Sequence, residues 1–226
     1  MISMTPENNA RAAGWSLLIM AVLAGFAFGY VYSPLSLAEN QPLSAQHLPV
    51  IRLSIAAWWG IALLDVLVAL ALLQLFAPAH YKGATIMAGL RLLYTVGLGV
   101  AIFRLHQAAR LLAAAQQAQQ ALEAWLSFQN IWSAALIIFG LHLCALGWLC
   151  FKAAQVPTLW GWLLMAAGIS YLTVHLGLQF PSTTALSKTL ETVLSLPMAL
   201  GELGFAFWLL LSVRKQKKPY PLSAQP

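Results

Sequence analysis

Apolar residues in this chain fall in long uninterrupted runs. They do not show the alternation of a half-buried strand or the three-to-four spacing of a surface helix. A run of about twenty apolar residues is what an α-helix needs to cross a hydrocarbon layer. The runs predict spans at Ala12 to Tyr32, Leu53 to Phe76, Ala84 to Phe103, Ile131 to Phe151, Leu159 to Leu178 and Val193 to Val213. The expected fold is therefore all-α: a polytopic membrane helix bundle with six transmembrane helices in one domain over 1–213, ahead of a basic cytoplasmic tail at 214–226.

The connections differ in kind. Residues Ser33 to Ile51 contain three prolines and His47 and predict an irregular segment on the outside. The stretch "RLHQAARLLAAAQQAQQALEAWLSFQN", at 104–130, has neither Gly nor Pro and is rich in Ala, Leu and Gln. Such residues favour helix, so spans three and four should continue outward as a helical hairpin that turns near Gln116 to Gln120. The first run precedes "SLA" and Glu39, which resembles a processing site, but its apolar stretch exceeds a signal-peptide core and reads as an uncleaved helix.

Composition narrows the class. The chain is 61% hydrophobic and only 8% charged, whereas soluble domains carry roughly a quarter charged residues. The net charge of +6 does not point to nucleic acid, because Arg214, Lys215, Lys217 and Lys218 cluster in the tail beside the last span. Basic flanks stay cytoplasmic. With the tail inside, Arg11, Lys82 and Lys152 also fall inside, while Arg52, Arg104, Arg110 and Lys188 fall outside. This predicts a membrane protein with both termini cytoplasmic. Trp15, Trp125, Trp132, Trp160 and Trp162 lie near span ends, where indole rings act as interfacial anchors. Gly140, Cys144 and Gly147, with Gly161 and Gly168, form small-residue stripes that predict close helix packing. Cys144 and Cys150 are too far apart on one helix to pair.

Ionisable residues inside spans carry the candidate chemistry, since each is costly in lipid. They are Asp65, the only aspartate, with Arg91, His142 and Glu202; Tyr94, Tyr171 and His175 are polar neighbours. Counted from the inner end of each span, the four charged positions lie at roughly 10 to 17 Å, so four helices contribute to one layer. Arg91 is the natural partner of Asp65, with His142 expected between them and Glu202. Two acids against one permanent cation leave the layer one positive charge short. A protonated carboxyl, a protonated His142 or a bound cation would answer that deficit. The alternative is that buried ion pairs serve only to fix helix packing.

Other chemistries were weighed. His142 with Asp65 and Glu202 could hold a metal ion. A bis-histidine haem on His142 and His175 is disfavoured because His175 lies about 10 Å higher along the bundle. Pro197, five residues before Glu202, should loosen the sixth span, whose Glu191, Ser195, Met198 and Glu202 form one stripe toward the outer surface. No phosphate loop, Cys-x-x-Cys, H-E-x-x-H or G-x-S-x-G motif is present.

Three stretches carry a resemblance: "FGLHLCALGWLCFK" at Phe139 to Lys152, "LWGWLLMAAGISYL" at Leu159 to Leu172, and "GELGFAFWLLL" at Gly201 to Leu211. Together they resemble the bacterial six-helix membrane proteins grouped as domain of unknown function 4386. The resemblance extends to Asp65 and the "RLLY" at 91–94, and picks out Asp65, Arg91, His142, Tyr171 and Glu202. It implies no assigned activity, and the "TVHLG" around His175 departs from the family pattern. The expected function is a small transport or ligand-binding protein for a proton, cation or polar substrate. The alternatives are an intramembrane enzyme or metal/cofactor protein, and a structural or regulatory partner of another membrane protein.

Overall fold

The computed structural model describes residues 5–27, 45–114 and 117–215. Those residues form five α-helices and one short 3₁₀ turn: α1 (Pro6–Gly25), α2 (Leu48–Ala113), α3 (Ala118–Lys152), α4 (Thr158–Leu178) and α5 (Thr184–Lys215). Four of them, α2 to α5, are long and apolar enough to cross a membrane. The close of the first expected span, most of the segment 33–51 and the tail beyond Lys215 lie outside the described residues.

The second and third expected spans meet at a sharp bend without an intervening loop. They are the two arms of α2, a helix of 66 residues interrupted only at His80, whose φ of −162° and ψ of 92° are extended. Pro78 supplies no backbone donor at this point, and His80 accepts a hydrogen bond from the amide of Gly83 through Nδ1 at 2.9 Å. That is the geometry of an N-cap, so the second arm starts as a fresh helix. The arms then run back along one another. Asp65 and Arg91 would be roughly 39 Å apart on a straight helix, yet they touch at 2.6 Å. Farther from the bend, the Trp59 indole donates to His106 Nε2 at 3.1 Å.

Helix termini follow local chemistry. Thr5 caps α1 by accepting from the Asn8 amide at 3.3 Å, and Pro6 occupies the first turn, where its missing donor does no harm. The stretch 104–130 is helical through Ala113 and again from Ala118. α5 continues through Pro197 as one helix.

The helices form a closed ring in which each packs on the next in chain order and α5 returns to α1. Among the described residues, α2 and α5 do not pack on one another. The α3–α4 seam is the tightest. A Cβ on Gly168 would stand 2.7 Å from the Gly140 carbonyl, and one on Gly147 would stand 2.8 Å from the Gly161 carbonyl, so only glycine lets these backbones approach.

Polarity is inverted relative to a water-soluble domain. Leu63, Ile86, Val96 and Val193 are exposed on the outside of the ring, while Asp65, Arg91 and His142 are at most 1% exposed within it. The tryptophans split. Trp15 and Trp162 point outward, but Trp125 is buried, and Trp132 packs on Trp58 with ring centroids 4.8 Å apart. The anchor expectation for Trp125 and Trp132 is thus corrected, because the extended arms of α2 and α3 cover these rings.

Candidate functional site

The centre of the ring holds two polar groups separated by one aromatic ring. On one side, the two arms of α2 bring Arg91 against Asp65, with Nη2 to Oδ1 at 2.6 Å. Arg91 Nη1 lies 3.0 Å from His142 Nε2, and His142 Nδ1 lies 2.9 Å from the Met87 carbonyl. A guanidinium can only donate, so Nε2 accepts and Nδ1 carries the proton that goes to Met87. His142 is therefore neutral, and both of its ring nitrogens are engaged.

On the other side, the Tyr171 hydroxyl donates to Glu202 Oε1 at 2.9 Å, joining α4 to α5. Phe139 of α3 stands between the groups. Its centroid is 5.4 Å from the Arg91 guanidinium carbon, 5.2 Å from the Tyr171 ring and 4.9 Å from the Tyr94 ring. His142 does not lie between Arg91 and Glu202 as expected. It sits on the α2 side of Phe139, because its helix position turns its ring toward the second arm.

His175 is elsewhere again. Its Nδ1 pairs with the Ser133 hydroxyl at 3.0 Å, and its ring stacks on Tyr171 at 5.8 Å. The expected metal set is not assembled: among the described residues, no three His, Cys, Asp or Glu side chains are grouped to hold a metal ion. His142, which both readings required, has no ring nitrogen left for a metal or a haem iron.

Above Glu202 lies a cavity of about 360 Å³, at the small end of the range for ligand sites of ~300–1,000 Å³. Asp65, Tyr94, Tyr171, His175, Glu191, Ser195, Met198 and Glu202 border it, together with Trp58, Trp132, Phe139 and four residues of α1. From the charged layer, the cavity wall runs on α2 from Asp65 toward Trp58, on α3 from Phe139 toward Trp132 and on α4 from Tyr171 toward His175. Glu191 stands eleven residues before Glu202, roughly 16 Å along α5. Arg91 and His142 are absent from the wall.

Of the seven residues singled out from the sequence, Asp65, Tyr94, Tyr171, His175 and Glu202 share this cavity, while Arg91 and His142 stand behind it. Trp58, Trp132 and Phe139 were missed as site residues. Phe139 had a signal in the "FGLH" segment, but an aromatic ring in an apolar run is indistinguishable from packing until its neighbours are known.

Fold and site together define a helical membrane protein with a charged centre beside a partly open cavity. The chain belongs to the family described as Domain of unknown function (DUF4386), whose model matches residues 12–212 and so covers every residue named in the site. An uncharacterized protein of Archaeoglobus fulgidus is 30% identical over 162 residues, which is 72% of this chain and 85% of that protein. No solved structure matches.

Proposed function

We propose that this chain is a small-ligand binding protein of the bacterial inner membrane, with the binding step of a transporter as its fuller role. In this reading α1 crosses once and α2 twice, so six passes leave both termini in the cytoplasm and the cavity faces outward. The distribution of Arg and Lys along the connections supports that orientation.

The observation that carries the reading is the cavity itself, with Glu202 and Tyr171 at its floor. Protein interiors are close-packed, and a bundle needing only internal glue would fill this space with side chains. Asp65, Arg91 and His142 then close the cavity from below and hold the arms of α2 to α3. A scaffold role is favoured for those three by their mutual pairing. An enzyme is less well supported, since His142, the natural proton carrier, is committed at both nitrogens.

Accessibility tests the reading. In spheroplasts of a strain producing a variant without Cys144 and Cys150, a Ser195→Cys change should react with a charged, water-soluble methanethiosulfonate added from outside. A Leu196→Cys change, on the exposed apolar face next to it, should react far more slowly. Equal protection of both positions would remove the cavity as a ligand site.

A further inference from the structure

We propose that the ligand of this cavity is a lipophilic organic cation, a protonated amine or quaternary ammonium on an aromatic or alkyl body. The inference rests on the binding reading above and adds the chemical class.

The charge of the wall sets the sign of the ligand. Glu202 and Glu191 both border the cavity, and so does Asp65, whose Oδ2 has no hydrogen-bond partner among the described residues. Asp65 itself is 0% exposed. Among the described residues, no lysine or arginine is in the wall. Arg91 behind it is spent on Asp65 and His142, and Phe139 covers its guanidinium face. Lys188, one turn before Glu191 on α5, offsets that acid from an exposed position outside the cavity. An anion would meet only carboxylates and neutral rings. A neutral guest would leave the Glu202 carboxylate without a countercharge, which a low-dielectric interior penalises.

The aromatic lining selects the kind of cation. Trp58, Tyr94, Trp132, Phe139 and Tyr171 give the wall five aromatic rings, and such faces attract alkylammonium groups. A bare metal cation instead needs a cage of oxygen donors, commonly six or more for calcium. Among the described residues no such grouping of acidic or histidine ligands exists. Met20 and Met198 add polarisable apolar surface that adapts to a guest of irregular shape. An ammonium head near Glu202, with its apolar body toward Trp58 and Trp132, uses each part of the wall.

Three probes of matched shape separate charge from fit: benzyltrimethylammonium, its uncharged carbon isostere neopentylbenzene, and the anion phenylmethanesulfonate. Each is titrated by calorimetry and tryptophan fluorescence into the full chain in lipid nanodiscs, with empty nanodiscs subtracted. The cation should bind about tenfold or more tightly than the isostere, and the anion should not bind. Glu202→Gln should erase the preference while Glu202→Asp, which keeps the charge, should retain most of it, and an unchanged size-exclusion profile excludes misfolding as the cause. Equal binding of cation and isostere overturns the cation assignment but leaves the binding reading standing. Preference for the anion, binding by none of the three, or an undiminished preference in Glu202→Gln also overturns it. Failure of the Ser195→Cys labelling is what would sink the binding reading itself.

Discussion

Asp65 and Glu202 both border the cavity, yet they are accommodated differently. Asp65 is held in a contact ion pair, and Arg91 is in turn held by a neutral histidine anchored on the backbone. Glu202 has a tyrosine hydroxyl and an open space. A buried carboxylate is tolerable either when a fixed cation answers it or when something mobile can. The first arrangement makes architecture, and the second leaves a carboxylate facing open space.

Breaking the paired side should have the largest effect. Arg91→Met leaves Asp65 buried with no cation, and the loss of stability should be about 3–5 kcal/mol, read as a collapse of the thermal unfolding midpoint in detergent. The double variant Asp65→Leu with Arg91→Met removes both charges and should recover most of that loss. A double variant no better than the single would show that Arg91 acts through packing rather than charge.

The wall between the compartments can be moved next. Gly168→Ala pushes a methyl against the Gly140 carbonyl and the Cys144 sulfur, separating α3 from α4 and hence Phe139 from Tyr171. Overpacking of this kind costs roughly 1–3 kcal/mol. Gly89→Ala, where an added Cβ meets nothing within 4 Å, is the matched control and should be neutral or stabilising by up to about 1 kcal/mol. Equal midpoints for the two variants would deny that the α3–α4 seam is closed to backbone contact.

The cavity side should be the most tolerant. Tyr171→Phe deletes one hydrogen bond and should cost about 1 kcal/mol. Glu202→Gln keeps an acceptor for Tyr171, and we expect its unfolding midpoint to move least of all. A Glu202→Gln loss as large as that of Arg91→Met would mean that Glu202 belongs to the sealed architecture after all.

Much of this was legible in the chain. Uninterrupted apolar runs reveal helices in lipid because hydrocarbon tolerates no unpaired backbone, and residue count gives depth at about 1.5 Å per residue. The polar layer, the Asp65–Arg91 pair and the close α3–α4 seam could be reached that way. The stripes of small residues had no other use in an apolar setting.

Lateral arrangement could not be reached. Depth along a helix is a property of one segment, but rotation about its axis and the order of its neighbours are set by the packing of all of them. That is why His142 was placed between Arg91 and Glu202 when Phe139 holds that position. It is also why Trp132 reads from the sequence as a span-end anchor, whereas it packs on Trp58 of α2. The sequence by itself determined that two acids and one arginine lie within the apolar runs of this membrane protein. Only the tertiary structure decided which acid Arg91 answers, because the bend at His80 brings it against Asp65 while Glu202 pairs with Tyr171.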